Sequence, residues 1–171
     1  MKKNGFTLIE IIIYVALAGI FLTGVTYFAI GLLTGQAKTL VEQEVTDNLR
    51  NAMRRIEFEI RNAQDINSVT SSDLCLKMSN TTYNPTRIYL SSGKVRIAWG
   101  GGTTNCSAMT NDQQLTSNLV TVNSLIFNNY SNGTTTKNIS FNLDISYNSS
   151  SGGQQWIKNQ NYTTDAELRS N

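Results

Sequence analysis

Histidine is missing from this chain altogether. Its absence rules out Ser-His-Asp and Cys-His catalytic arrangements, which need an imidazole to take the proton of the nucleophile. The only two cysteines, Cys75 and Cys106, do not form a C-x-x-C pair, so a structural zinc site would lack its four ligands. Neither a P-loop nor a G-x-G-x-x-G stretch is present, and no cofactor is expected. Charge is scarce as well: 15% of residues are charged, where about a quarter is usual, and asparagine, serine and threonine fill the deficit. A surface of that kind is hydrated without being charged. Proline occurs once, at Pro85, and neither proline nor glycine interrupts Gln36 to Asn67.

What the chain does have is one long apolar run. From Phe6 to Ala37 the sequence is almost wholly apolar, and Glu10 is its only charge. About 20 apolar residues cross a bilayer core of roughly 30 Å, so the run is long enough to insert. Lys2 and Lys3 precede it and favour the cytoplasmic side, which places the bulk of the chain outside the cytoplasm. A secretory signal has an apolar region of about 7–15 residues closed by a small-residue cleavage site; this run is about twice that length and its glycines are scattered. Glu10 is what a plain anchor would not carry, since a charge at the membrane centre costs about 2.5–3.5 kcal/mol and usually has a partner. Only about 6 Å of helix separates it from Phe6, within reach of the interface. In a packed apolar bundle it needs a cation, and the amine freed by a cut between Gly5 and Phe6 is the nearest candidate.

Lys2-Lys3-Asn4-Gly5, then Phe6-Thr7-Leu8-Ile9-Glu10 and the apolar helix, resembles the class III leader of type IV pilins and type II secretion pseudopilins. The resemblance implies cleavage after Gly5 by a prepilin peptidase, methylation of the new N-terminal Phe6, and pairing of Glu10 with the amine of a neighbouring subunit in a filament. Its implied partners are that peptidase, other pilin or pseudopilin subunits and an inner-membrane assembly platform. The implied location is the cytoplasmic membrane, as a single pass with the N-terminus inside, and then an extracytoplasmic filament. Without Lys2 and Lys3, the fourteen basic residues fall to twelve against twelve acidic ones, so the mature chain is formally neutral. Neutrality argues against a nucleic-acid surface, which usually shows a strong basic bias.

Gly31 and Gly35 form a G-x-x-x-G pair within the apolar run, which also contains Gly19 and Gly24. Such a pair lets two backbones approach closely, although glycine is also simply frequent in membrane helices. Unlike many major pilins, the run has no proline; Thr26 and Tyr27 stand where one might be placed. Beyond Ala37 the pattern turns amphipathic. Val41, Val45, Leu49, Ala52, Met53, Ile56, Ile60 and Ala63 form one helical stripe. Glu42, Glu44, Asp47, Arg50, Arg54, Glu57 and Arg61 lie opposite, with Glu57 and Arg61 spaced for an i,i+4 pair. One helix is expected from Phe6 to about Asn62, roughly 85 Å long. The run Arg54 to Ala63 is similar to the helix end of J-type minor pseudopilins and PilW-like minor pilins.

From Val69 onward the period becomes two. Leu74, Leu76 and Met78 alternate with Cys75 and Lys77; Arg87–Leu90 and Val95–Trp99 flank the turn Ser91-Ser92-Gly93-Lys94 as a hairpin. Gly100 to Asn111 reads as a loop, Gln114–Val122 and Ser124–Tyr130 as strands, and Asn138–Tyr147 alternates with Ile139, Phe141, Leu143, Ile145 and Tyr147 on one face. Trp156-Ile157 and Asn161–Arg169 resemble the closing strand of pilin-like proteins. The expected fold is α+β and pilin-like, a long N-terminal helix on a small antiparallel head of four to six strands. The division is leader 1–5, membrane and filament-core half 6–37, amphipathic half 38–66 and β-rich head 67–171.

In an exported head, Cys75 and Cys106 read as a possible disulfide, worth about 3–4 kcal/mol by loop entropy, or else as two separately buried thiols. The paired carboxylates Asp165 and Glu167 read as exposed tail charges. The Asn-x-Ser/Thr matches at Asn80, Asn132, Asn138, Asn148 and Asn161 follow from composition. The expected function is structural: a pilin or pseudopilin subunit, tilted towards a minor one, of a type IV pilus, type II secretion or competence filament. A reading of a different class is a membrane-tethered head that captures a ligand or DNA without polymerising.

Overall fold

The computed structural model describes residues 7–101, 105–132, 136–148 and 158–169. One helix, α1 (Leu8–Asn62), carries both the apolar run and the amphipathic stripe. Its first turn is anchored at Thr7, whose carbonyl accepts from the Glu10 and Ile11 amides at 3.1 and 3.3 Å. The chain forms two compact units, Met1–Leu40 and Val41–Asn171.

In the first unit, apolar side chains point to every side of α1 and are exposed, from Leu8, Ile9 and Ile11 through Phe21, Phe28 and Leu33. Four of its threonine hydroxyls are satisfied within the helix. Thr23 donates to the Gly19 carbonyl and Thr26 to that of Leu22, both at 2.8 Å, and Thr34 and Thr39 do the same to Ile30 and Gly35. Threonine in an apolar medium needs this back-bonding, because no water is there to take the donor.

In the second unit the stripe is buried as its spacing requires: Val45, Ala52, Ile56 and Ile60 are fully enclosed, and Val41, Leu49, Met53 and Ala63 nearly so. The stripe packs on two antiparallel sheets. The first runs β1 (Ala63–Thr70), β2 (Asp73–Met78), β3 (Thr86–Ser91), β4 (Lys94–Trp99) and β5 (Asn111–Gln114), each paired with the next. The second comprises β6 (Val120–Asn129), β7 (Asn138–Tyr147) and β8 (Asn159–Glu167), in that order. Ile139, Phe141, Leu143 and Ile145 all project from β7 into the core, where Phe127 and Phe141 meet with ring centroids 6.1 Å apart. The helix joins β1 without a loop. The Arg61 carbonyl, one of those left open where a helix stops, accepts from the Arg169 amide at 3.3 Å.

The β3–β4 hairpin turns at Ser92 and Gly93, with φ of 51° and 68°. Two positive φ values define the primed turn that suits the strand twist, and glycine takes the second at no steric cost. At Gly101, φ is 108° and an added Cβ would stand 1.8 Å from the Ala108 carbonyl oxygen, so no side chain fits there.

The α+β layout matches the expected class, with three differences. Among the described residues, eight strands in two sheets replace the single sheet of four to six. Ala63–Ile66, placed in the amphipathic half 38–66, belong to β1, since a β-branched and polar segment pairs with β2 once the stripe ends. Val120–Val122 and Ser124–Asn129 are one strand, β6, carried through a register shift between Val122 and Ser124. Gln114 lies in β5 of the other sheet, and the intervening Leu115–Leu119 crosses between them. Trp156-Ile157 and Ser149–Gly153 lie outside the described residues.

Candidate functional site

The residues read as functional fall at the start of α1 and on the head. Gly5 and Phe6 lie outside the described residues. Glu10 stands in the first turn of α1, half-buried, with exposed Ile9, Ile11 and Ile13 around it. An acid there is favourable for the helix itself, because the first-turn amides carry partial positive charge. The helix is long and apolar enough near the N-terminus to cross a membrane, and none of its most apolar stretch is buried within the protein. Gly19, Gly24, Gly31 and Gly35 have open space where a Cβ would be, so nothing inside the protein uses their smallness.

On the head, Cys75 of β2 and Cys106 are joined by a disulfide with their Cα atoms 6.0 Å apart, closing a separation of 31 residues. Cys75 lies on the face of β2 opposite Leu74 and Leu76, yet both cysteines are buried.

Three polar arrangements escape a reading by periodicity. Glu59 lies among the buried side chains of α1 at 5% exposure, with Arg55 2.6 Å away. Burial pushes its carboxyl above the usual range, and the Arg55 charge and hydrogen bond oppose the rise. Helical phase carried the signal, since Glu59 falls between Ile56 and Ile60. Near the start of the head, the Glu44 carboxylate accepts from Asn48 Nδ2 at 2.7 Å and Ser117 Oγ at 2.8 Å. Asn48 Oδ1 in turn accepts from the Ser117 amide at 2.7 Å, and Lys94 Nζ donates to the carbonyls of Ser117 and Val120. That cluster clamps the Leu115–Leu119 crossover onto α1. On the outer face of the first sheet, Arg87 pairs with Asp73 and lies 4.5 Å over the Tyr89 ring, while Asp112 accepts from Tyr89 and Arg96. Among the described residues no group of three or more histidine, cysteine, aspartate or glutamate side chains is placed to hold a metal ion.

Comparison with known proteins bears on the first of these regions. Residues 1–26 match the family model described as the prokaryotic N-terminal methylation motif. The chain therefore carries a type IV pilin-like leader, the kind of segment that prepilin peptidase processes, joined to a long apolar helix. No curated protein and no solved structure matches it.

Proposed function

We propose that the protein is a structural subunit, a minor pilin or pseudopilin, of a type IV pilus, type II secretion or competence filament. Prepilin peptidase cuts between Gly5 and Phe6 and the Phe6 amine is methylated. The subunit waits in the cytoplasmic membrane with its head outside, then joins other subunits at the inner-membrane assembly platform. Glu10 pairs with the terminal amine of a neighbour. A subunit docked one step out of register would bury an unpaired carboxylate, which is strongly unfavourable.

The observation that carries this reading is the methylation motif continuing into an apolar helix whose side chains are exposed all round while the hydroxyls of Thr23, Thr26, Thr34 and Thr39 bond inward. Such a helix needs lipid or other helices as its surroundings. Mass spectrometry of the N-terminal peptide of the native protein tests it: a chain beginning at methylated Phe6 is expected, and an intact Met1 in the assembled or exported protein would overturn it.

A further inference from the structure

A β-sheet edge left open invites another strand, and folded proteins usually guard such edges with bulges, shortness or cover. Among the described residues, three of the four edges here are guarded. β1 has register shifts at Ala63/Asp65 and Ile66/Ser68, and its Asp65 is tied to Lys137 at 2.6 Å. β5 has only four residues. β6 has its own shift and donates the Phe127 and Val122 amides to the carbonyls of Ser71 and Gly93, in the β1–β2 and β3–β4 turns of the other sheet. The fourth edge, β8, runs nine residues in unbroken register with β7.

The ladder shows which backbone groups of β8 are free. Leu168 N–H donates to Lys137 and Tyr147 N–H to the Lys158 carbonyl, so the even-numbered residues of β8 face β7. The alternation of an antiparallel ladder then turns the backbone N–H and C=O of Asn159, Asn161, Thr163, Asp165 and Glu167 outward. None of these has a partner among the described residues. On the core side of this edge, Gln160, Tyr162 and Thr164 line a groove of about 430 Å³ with Leu49, Arg50, Met53 and Arg54 of α1. Its one acid, Glu57, is engaged by Arg61, whereas Arg50 and Arg54 are exposed and have no ion-pair partner among the described residues.

We propose that the β8 edge is a docking site for an extended acidic strand of a partner protein. The partner's backbone adds to the second sheet beside Asn161–Asp165, and carboxylates on its inward-facing side chains meet Arg50 and Arg54. An extended strand is the occupant because only another strand presents donors and acceptors at the repeat of the free odd-numbered groups. It is acidic because the groove offers two unpaired guanidinium groups. The site is independent of the leader and its processing, so it stands or falls apart from the filament reading.

The test uses the full chain in neutral detergent micelles and a dye-labelled alternating threonine–aspartate peptide of the length of β8, read by fluorescence anisotropy. Saturable binding is expected, about tenfold tighter than for the matching threonine–lysine peptide, since favourable charge pairs replace like-charge contacts. Thr163→Pro removes an outward donor and leaves the backbone ladder to β7 intact, giving up only the exposed hydrogen bond from Asn142 Nδ2 to Thr163 Oγ1, and should abolish binding while the head stays folded. A threonine–aspartate peptide N-methylated at every residue, which has no N–H donor on either edge, makes the same test on the unaltered protein, and should not bind. Arg50→Glu with Arg54→Glu should reverse the preference to the lysine peptide. Absence of binding by the acidic peptide, binding that survives both Thr163→Pro and N-methylation, or equal affinity for the two charge types would overturn the proposal.

Discussion

Replacing Arg55 by methionine should make the stability of the head fall more steeply with rising pH than the native protein's does. Glu59 is 7% exposed at its side chain and Arg55 46%, with 2.6 Å between them, so the carboxylate has lost most of its water and keeps one cation in exchange. Methionine keeps the apolar stem and removes the charge. Glu59 already titrates above the ordinary value because burial outweighs Arg55, and without Arg55 its pKa rises further. The sign follows from proton counting. Between the unfolded pKa, about 4.3, and the raised folded value, the native state binds more protons than the unfolded one, so stability falls as pH rises. Below about pH 4 both states are protonated and the charge deletion has little effect. One half-exposed partner places the interaction between an exposed pair, about 0.5 kcal/mol, and a fully buried one, about 3–5 kcal/mol. Arg55→Met should therefore cost about 1–2 kcal/mol at pH 7, shrinking to a few tenths at pH 4. Urea unfolding of the full chain in detergent micelles, followed by near-ultraviolet circular dichroism at pH 4, 5.5 and 7, measures it. Adding Glu59→Gln isolates the pair, since in that background the pH dependence of the Arg55→Met cost should vanish. A cost equal at pH 4 and pH 7, or one that persists with its pH dependence in the Glu59→Gln background, would refute the reasoning.

Three other outcomes are expected. Cys75→Ser with Cys106→Ser opens the loop closed across 31 residues and should lower stability by about 3–4 kcal/mol, read as a shift in urea midpoint. Asp65 is held below the usual carboxylate range first by the Lys137 hydrogen bond and then by the Ile66 amide. A lowered acid stabilises above its unfolded pKa and loses that contribution as pH falls through the folded one, so Lys137→Met should cost about 0.5 kcal/mol at pH 7 and nothing near pH 2. Because Asp65 is partly exposed, a cost above about 2 kcal/mol would contradict the surface assignment. Glu10→Ala should leave membrane insertion and cleavage intact but reduce incorporation into filaments, as measured by immunoblotting of sheared filament fractions; incorporation at native levels would remove the pairing role.

The helix was legible because two physical periods meet in it without interruption. An unbroken apolar run and then a three-four stripe, with no glycine or proline from Gln36 to Asn67, leave the backbone no alternative to α1. Its end at Asn62 shows as the point where the stripe runs out. β7 was equally legible: every second residue from Ile139 to Ile145 is buried, and only a sheet with one face on the core produces that pattern. The β3–β4 turn was marked by a glycine at the position needing positive φ.

What resisted reading depends on partners distant in sequence. Whether Val120 continues Gln114 or Phe127 is decided by hydrogen bonds between sheets and by the clamp from Asn48 and Glu44 to Ser117, a contact across about 70 positions that no local period encodes. Glu59 is the same problem in another form. Its charge argues for solvent, while its helical phase between Ile56 and Ile60 argues for the interior. The contest is settled by geometry: Arg55, one turn back, can reach the carboxylate while keeping its own charge half in water, so only one of the two ions bears the full cost of desolvation. A buried acid is tolerated at that place because its counter-ion is not buried with it. Moving the same pair to Ala52 and Ile56, both fully enclosed, would strand both charges, and the fold would lose the packing of α1 in the core instead of gaining a bridge.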